Sequence, residues 1–353
     1  MSKPEKPLSL SLRPDGSATR IFLRSQLCTK PKRLSPDTTS LAGQTALLTG
    51  GTTGIGYHAA RHLLALGLSR LILTARSPSK GDRVASELRA AFPGAKVEIW
   101  PLELGDYQSV LALARRVEAE FSNSDVDEVE EVGGGNSMYK KERQSKKKAR
   151  LDMAILNAGM AATGFARNPQ TSHCQVVQVN YLSTFLLAVL LMPVLRDPHG
   201  RRPGRLTIVG SGSLGDAMER YAASKTLGQL FLVRLYDHLP PADELVVNLA
   251  DPGFCKGSGL VREARGLSRA AVSAAGALFG RTLDDGAWTY LDAAVVQGKD
   301  SHGSFLVDWK ISPFHYAVYE PEGQKLMDDL FEETMTEWEF AGAREILASL
   351  KRK

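Results

Sequence analysis

From residue 44 onward, short apolar runs alternate with longer segments whose apolar residues recur every three or four positions. The first run is Thr45–Thr49, and the segment that follows it, Gly56–Leu66, has helical spacing. Runs that are apolar throughout are typical of strands buried on both faces, which occur mainly in parallel sheets covered by helices. The alternation therefore predicts an α/β fold with a doubly wound, mostly parallel sheet.

The alternation continues to about residue 312 and predicts a seven-stranded sheet between two helical layers, a three-layer α/β/α sandwich. The predicted strands are Thr45–Thr49, Leu71–Ala75, Val97–Leu102, Met153–Leu156, Leu206–Val209, Leu245–Leu249 and Phe305–Val307. The predicted helices are Gly56–Leu66, Gly81–Phe92, Tyr107–Phe121, Val176–Leu195 and Tyr221–His238.

Three segments follow from this pattern. Residues 1–43 form an N-terminal extension with a short docking helix at Ala18–Leu27, residues 44–312 form the α/β domain, and residues 313–353 form a C-terminal helical extension. Residues 122–150 interrupt the domain with an acidic block, three glycines and a lysine-rich block. Without apolar periodicity, this insertion is predicted to be disordered. A regulatory loop and an error in the gene model are the alternatives.

The net charge of +5 comes largely from Lys140–Arg150 and the C-terminal Lys351–Lys353, so no nucleic-acid partner is expected. Three cysteines without CxxC spacing, and a polar N-terminus without an apolar leader, indicate a cytoplasmic protein. The apolar run Tyr181–Leu195 is predicted to be a buried helix rather than a membrane span. We identify no metal-ligand motif.

A glycine-rich segment lies between the first predicted strand and the first helix of the domain. Gly50, Gly54 and Gly56 occupy the position where a tight turn can bring the backbone close to a pyrophosphate at a helix N-terminus. About twenty residues further on, Arg76 follows the second strand where a carboxylate would favour NAD. Because an arginine can pair with a 2′-phosphate, the sequence favours NADP(H), unless Arg76 is an ordinary surface residue.

The chemistry is indicated by Tyr221 and Lys225, which stand one helical turn apart on the same face. A phenol beside an ammonium group can donate a proton, and a bound dinucleotide can carry a hydride. Ser211 follows the fifth strand at the carboxyl edge of the sheet, where its hydroxyl could hydrogen-bond a substrate carbonyl. A turn serine is the alternative. Together these residues indicate carbonyl–alcohol redox chemistry.

In this order the motifs resemble the short-chain dehydrogenase/reductase family, and in particular its fungal members similar to retinol dehydrogenases. They are Thr49-Gly50-x3-Gly54-Ile55-Gly56, Asn157-Ala158-Gly159, Asn180, Ser211, Tyr221-x3-Lys225 and Pro252-Gly253. The resemblance covers about residues 42–312 and implies a Rossmann-type fold. It also implies a small-molecule substrate and is compatible with a homodimer or homotetramer formed through the helices at Val176–Leu195 and Tyr221–His238.

The resemblance also implies a role for each site residue. Tyr221 is the acid in reduction, Lys225 lowers its pKa and holds the nicotinamide ribose, Ser211 positions the carbonyl, and Asn180 anchors a water in a proton relay. The implied NADP(H) contacts are Thr49, Gly50, Thr52, Thr53, Gly54, Ile55, Gly56, Arg76, Asn157, Ala158, Gly159, Tyr221, Lys225, Pro252 and Gly253.

The sequence departs from the family pattern at three places. The spacing between Ser211 and Tyr221 is short, which makes Ser213 a rival for the serine role. Gly257 replaces the threonine expected after Pro252-Gly253, with Ser258 as a substitute, and Asp251 precedes that pair where a neutral residue is usual. A buried carboxylate there is costly unless it is hydrogen-bonded.

We therefore predict an NADPH-dependent reductase of a hydrophobic carbonyl compound, associated with fungal secondary metabolism. One alternative is a cofactor-binding protein with little or no catalytic activity. The other is a dehydrogenase that works in the direction of alcohol oxidation.

Overall fold

The computed structural model describes residues 6–16, 18–122, 150–162, 164–211, 219–259 and 274–351. The described strands form one sheet in the order β3-β2-β1-β4-β5-β6-β7-β8, parallel except for the last pair. They are β1 Thr45–Thr49, β2 Arg70–Ala75, β3 Lys96–Pro101, β4 Met153–Leu156, β5 Gly204–Val209, β6 Leu245–Asp251, β7 Phe305–Val307 and β8 Lys310–Ser312.

Helices cover both faces of this sheet. They are α1 Leu8–Ser11, α2 Ala18–Cys28, α3 Gly54–Ala65, α4 Pro78–Ala91, α5 Tyr107–Phe121, α6 Gln175–Leu195, α7 Glu219–Leu235, α8 Leu283–Leu291, α9 Pro321–Glu337 and α10 Ala343–Leu350. Residues 274–279 are also helical. The predicted Rossmann-type α/β/α architecture is confirmed, and each predicted strand and helix is present with small shifts at its ends.

The predicted number of strands was wrong, because β8 makes an eighth. It pairs antiparallel with β7 through a two-residue turn in which Asp308 and Trp309 have φ of 55° and 62°. Such hairpin turns usually contain Asn-Gly or Asp-Gly, which tolerate positive φ. A tryptophan at this position gives no turn signal, so β8 could not be recognised from the sequence.

Strand alternation separates the core into two layers. Leu47 of β1 packs into the apolar cluster on the side of α5, α6 and α7, whereas the next residue, Leu48, packs into the cluster on the side of α3 and α8. Both side chains are fully buried. The sheet is therefore buried on both faces, as continuous apolar strands require.

Helix α6 has the length and composition that a membrane-crossing helix would have. It spans 21 residues with a mean hydropathy of 1.7 in its most apolar window, and 83% of that window is buried inside the protein. Its apolar residues point in all directions, which is typical of a central helix surrounded by other elements. The observed contacts agree with the predicted buried helix.

The C-terminal helices cover α6 and α7. Phe331 of α9 stacks on Phe231 of α7 with ring centroids 5.6 Å apart, and Trp338 contacts the same ring at 5.4 Å. The Tyr181 hydroxyl on α6 is 2.6 Å from the Thr334 hydroxyl on α9. Residues 313–351 thus extend the core, and they cover part of the two helices predicted to form an oligomer interface.

Removing the Phe331 ring tests how much this extension stabilises the fold. Phe331 is 7% exposed, so Phe331→Ala should lower the free energy of unfolding by about 3–5 kcal/mol through lost burial and a cavity. Leu326→Ala on the same helix is the control, because Leu326 is 48% exposed and should change stability by less than about 0.5 kcal/mol. Urea unfolding measures both, and equal effects would contradict the proposed packing role.

Candidate active site

The strand order changes direction between β1 and β4, which are neighbours in the sheet although β2 and β3 intervene in the chain. At such a point the loops that leave the two strands diverge to opposite faces and open a crevice at the carboxyl edge. Ligands of doubly wound sheets bind in this crevice. The sequence motifs at the ends of β1, β4, β5 and β6 all lie at this edge.

The glycine turn after β1 is fastened to the turn after β4. The Asn157 amide donates to the carbonyl oxygens of Thr49 at 2.9 Å and Gly50 at 3.0 Å. Gly50 and Gly54 have φ of +67° and +59°, which disfavours other residues. A Cβ at Gly56 would lie 2.4 Å from the Gly50 carbonyl oxygen. The turn therefore needs glycine for its conformation and for its close packing.

This turn fits the pyrophosphate of a dinucleotide. Within the described part of the chain, the side chain of the N-cap residue Thr53 makes no capping hydrogen bond to the first turn of α3. Thr52 precedes it and Ile55 follows in that first turn. Because the first amides of a helix lack partners within the helix, and the helix dipole is positive there, an anion is favoured at this end.

Arg76 directly follows β2, on the adenosine side of the same crevice. Its side chain is 65% exposed and its guanidinium approaches the Glu103 carboxylate only to 4.0 Å. An exposed ion pair at this distance contributes little to stability. The guanidinium is therefore available to a phosphate group.

The structure brings Tyr221, Lys225 and Ser211 together. Tyr221 and Lys225 lie on the first turns of α7, and the lysine Nζ is 5.8 Å from the centre of the tyrosine ring. Ser211, which follows β5, lies close enough to the Tyr221 phenol to lower its pKa. Lys225 Nζ donates to the Val209 carbonyl oxygen at 2.8 Å. Ser213, the rival serine, lies outside the described residues.

Asn180 joins this cluster from α6, in the π-helical segment Gln178–Ser183. Its amide Nδ2 donates to the Met160 carbonyl at 2.8 Å and to the Ser224 hydroxyl at 3.0 Å, and its Oδ1 accepts from Met160 N–H at 2.8 Å. A Cβ at Gly159 would lie 3.1 Å from that Oδ1 and 3.7 Å from Lys225 Nζ. Asn180 thus ties α6, α7 and the turn after β4 into one unit.

Asp251, at the end of β6, is the departure from the family pattern that the structure explains. Its carboxylate is 8% exposed and accepts from the Gly253 N–H at 2.7 Å, a turn in which an aspartate side chain caps its own backbone. Gly253, with φ of +74°, follows Pro252. The hydrogen bond offsets part of the cost of burying the carboxylate.

Burial and the charge of Asp251 shift the pKa values of Tyr221 and Lys225. Burial raises the pKa of the Tyr221 phenol well above its ordinary value, the Asp251 charge raises it further, and the hydrogen bond with Ser211 opposes this. Burial lowers the pKa of Lys225 to about 8, against the attraction of Asp251, which favours the ammonium form. In this state the phenol is protonated at neutral pH.

Several residues that hold this cluster carry no sequence signal of their own. Gln229 Nε2 donates to the Ser211 carbonyl at 3.1 Å, and Gln229 Oε1 accepts from the His315 N–H at 2.8 Å. The Ser224 hydroxyl links Asn180 to the Tyr221 carbonyl, to which it donates at 2.7 Å. Only their helical spacing from Tyr221 and Lys225 could have suggested that they face the site.

The chain belongs to the short-chain dehydrogenase family. The model of that family, described as short chain dehydrogenase, matches residues 44–137 and 136–266. The short chain dehydrogenase/reductase mfmJ of Annulohypoxylon moriforme is 38% identical, with 94% of each chain covered. The short chain dehydrogenase virL of Hypocrea virens is 36% identical, with 92% of this chain and 93% of the relative covered. The predicted family is thus confirmed, and with it an oxidoreductase class.

Solved structures share the fold. The Pseudomonas aeruginosa RhlG/NADP active-site complex has a TM-score of 0.53 at 23% identity, covering 76% of this chain and 95% of that one. The NADPH-dependent 3-quinuclidinone reductase from Rhodotorula rubra has a TM-score of 0.53 at 22% identity, and the match covers 78% of this chain and 94% of that one. Because both identities are below 25%, this similarity shows a shared fold and nothing further.

The electrostatic coupling between Asp251 and Lys225 can be measured without any ligand. Asp251→Asn removes a charge that favours the ammonium, so the pKa of Lys225 should fall below its value of about 8. An NMR titration of labelled lysine side chains, with Lys225→Met to assign the signal, measures the change. Asp300→Asn, at an exposed position, is the control. An unchanged or raised lysine pKa in Asp251→Asn would contradict the coupling.

The same group gives a stability trend with a defined sign. Unfolded lysine titrates near 10.4, above the folded value of about 8, so the unfolded state binds more protons between these values. The contribution of Lys225 to the free energy of unfolding therefore increases with pH across this window.

Proposed function

We propose that the protein is an NADPH-dependent reductase that converts a carbonyl group of a hydrophobic small molecule to an alcohol. The observation that carries the proposal is the placement of Tyr221 beside the buried Lys225, whose Nζ lies 5.8 Å from the tyrosine ring centre, with Ser211 next to the phenol. These groups lie at the same sheet edge as the glycine turn after β1. A proton donor and a dinucleotide site therefore share one crevice.

In this proposal Tyr221 donates its phenolic proton to the carbonyl oxygen as that oxygen becomes an alcohol. When bound, NADPH supplies the hydride that the carbonyl carbon receives. The Ser211 hydroxyl orients the carbonyl oxygen toward the phenol. The Lys225 ammonium stabilises the phenolate left behind, since an adjacent positive charge favours the anionic form. Asn180 holds the turn beside Lys225 in place, and a water that it anchors would return the proton.

The protonated phenol is the form that reduction requires. The pKa of Tyr221 is raised by burial and by Asp251, which keeps the phenol protonated and ready to act as an acid. Oxidation of an alcohol would need the phenolate as a base, and this form requires additional positive charge near the ring. The direction of net reaction in the cell also depends on the cofactor ratio.

The choice of NADP(H) over NAD(H) is supported by Arg76. It lies at the end of β2, is largely exposed and has only the distant Glu103 carboxylate as an ion-pair partner in the described structure. At this place in the fold a guanidinium pairs well with a 2′-phosphate. The two solved structures named above are themselves described with NADP or NADPH.

The proposal also includes a biological setting. The likeness to the short-chain dehydrogenases of Annulohypoxylon moriforme and Hypocrea virens supports a fungal setting, and a role in secondary metabolism is part of the proposal. Free thiols at Cys28, Cys174 and Cys255 support a reducing, cytoplasmic location. A homodimer or homotetramer remains part of the proposal, through surfaces that α9 and α10 leave open.

The alternative of a cofactor-binding protein without turnover rests on the short spacing between Ser211 and Tyr221 and on the changed residues after Pro252-Gly253. In the structure this spacing still leaves Ser211 close enough to the Tyr221 phenol to lower its pKa. The geometry therefore favours an active enzyme over that alternative.

Replacing the proton donor tests the mechanism. Tyr221→Phe should lower the rate of NADPH oxidation with a panel of hydrophobic ketones and aldehydes by at least about a hundredfold, the usual contribution of a general acid. Tyr316→Phe is the matched control, because Tyr316 is 64% exposed, and its rate should be unchanged. Full activity of Tyr221→Phe would rule out the proposed mechanism. Tight NADPH binding without turnover by the unchanged protein would favour the non-catalytic alternative.

Replacing Arg76 tests the cofactor. A hydrogen bond to a charged group contributes about 1.5–3 kcal/mol, so Arg76→Ala should weaken NADPH binding roughly ten- to a hundredfold. NADH binding should be unchanged, because NADH lacks the 2′-phosphate. Arg83→Ala, at an exposed position of α4, should alter neither. Calorimetric titration measures the affinities. An equal loss of affinity for NADPH and NADH would show that Arg76 does not bind the 2′-phosphate.

A further inference from the structure

The segment after β6 crosses the crevice from the reactive tyrosine to the glycine turn, and we call residues 252–258 the crossing loop. It begins beside Asp251, whose charge acts on both Tyr221 and Lys225. At its other end, the Ser258 carbonyl oxygen is 3.1 Å from where a Cβ on Gly54 would lie. The crossing loop therefore borders the crevice along the length that a dinucleotide would occupy.

The N-terminal helix α2 contacts the outer side of this loop. With its amide nitrogen facing the Phe254 carbonyl, Gln26 donates to that carbonyl at 3.1 Å and accepts from the Phe254 N–H at 3.2 Å. The rings of Phe22 and Phe254 are 6.2 Å apart. A Cβ at Gly253 would lie 2.7 Å from the Gln26 amide, so only glycine allows this approach.

Arg281 holds the loop from a second direction. Its backbone N–H donates to the Phe254 carbonyl at 2.8 Å, and its carbonyl accepts from the Lys256 N–H at 3.0 Å, as in a short parallel bridge. Its guanidinium Nη1 donates to the Pro252 carbonyl at 3.2 Å. The side chain is only 7% exposed. Arg281 thus fixes three alternate loop positions, Pro252, Phe254 and Lys256, and α2 also contacts Phe254.

The same guanidinium ties the helix to the loop. Nη2 donates to the Ser25 carbonyl at 2.8 Å and to the Thr29 hydroxyl at 2.9 Å, and it forms an ion pair with Asp308 in the β7–β8 turn. The Ser25 hydroxyl donates to the same carboxylate at 2.8 Å. Arg281 therefore links α2, the crossing loop and the edge hairpin through one buried charge.

The contacts of α2 are concentrated on this loop rather than on the main core. Among its described residues only Ser25 is buried, while Ile21 and Leu27 are 43% and 58% exposed. Both large apolar clusters are made of residues outside α2, as far as the described chain shows. A helix that buries so little apolar surface adds little to the stability of the core.

We propose that α2 and Arg281 form a clamp that holds the crossing loop in the shape that receives the nicotinamide half of the cofactor. Gln26 and Arg281 are its positioning residues. The inference rests on the proposed dinucleotide site and assigns the N-terminal extension to it. The nicotinamide must lie near Tyr221 for hydride and proton to reach one carbonyl, and the clamped Pro252–Cys255 part of the loop is adjacent to Tyr221 through Asp251.

The test compares binding of the whole cofactor with binding of a ligand that lacks its nicotinamide half. Gln26→Met keeps the length of the side chain and removes both hydrogen bonds to Phe254. It should weaken NADPH binding about tenfold, as expected for the loss of one or two hydrogen bonds. Binding of adenosine 2′,5′-bisphosphate, which lacks the nicotinamide half, should change less than twofold. Calorimetric titration gives both affinities. The ratio of the NADPH affinity to the bisphosphate affinity is not changed by a general loss of folded protein, which affects both ligands alike.

Matched variants complete the experiment. Arg24→Met, exposed on the same helix, should alter neither affinity. Gln26→Glu, which can still accept from the Phe254 N–H, should recover part of the NADPH affinity. Arg281→Met removes the ion-pair partner of the buried Asp308 carboxylate and is expected to destabilise the chain. Gln26→Met therefore decides the question, with its melting temperature recorded.

The outcomes distinguish this proposal from the proposed function. If the unchanged protein binds NADPH, and Gln26→Met weakens both ligands equally or neither, the clamp is overturned alone. If the unchanged protein binds no dinucleotide, both proposals are overturned. If it binds NADH in place of NADPH, the clamp is judged by the ratio of NADH to AMP affinity in the same variants.

Discussion

The fold and the site both depend on the close contact between the turn after β1 and the turn after β4. Asn157 donates to two carbonyl oxygens of the first turn, and the Ala158 N–H donates to the Thr49 hydroxyl at 3.0 Å. This contact satisfies backbone groups that the ends of two parallel strands would otherwise leave unpaired. It also fixes the N-terminus of α3 at the edge of the crevice, where an anion is favoured. Gly50, Gly54 and Gly56 are therefore needed both for the close packing of the two turns and for an anion site at the N-terminus of α3.

The architecture could be predicted from the sequence because its signal is repeated. Seven mostly apolar strands and the helical segments between them all indicated the same doubly wound sheet. The eighth strand lacked such support, since a three-residue edge strand joined by Asp308-Trp309 has neither length nor a usual turn. The ends of helices also shifted: α7 begins at Glu219, and α6 begins at Gln175.

The site could be predicted only as far as its motifs reach. Tyr221, Lys225, Ser211 and Asn180 could be named from their order in the chain, and the structure places them in one cluster. The residues that hold them could not, because Gln26, Gln229 and Arg281 act through tertiary contacts with backbone groups distant in sequence. Amides and guanidinium groups are common on surfaces, so their identity alone gives no signal. What they contact becomes evident only when the chain is folded.

The N-terminal and C-terminal extensions make different kinds of contact with the α/β domain. Residues 313–351 bury apolar surface, since Trp338 and Met335 are almost fully covered against α6 and α7. These contacts cover part of the two helices that the family resemblance associates with an oligomer interface. Residues 18–28 bury little and instead make polar contacts with backbone groups beside the crevice. Because hydrogen bonds to backbone groups fix geometry more than they add net stability, the N-terminal extension is suited to shape the site and the C-terminal one to stabilise the fold.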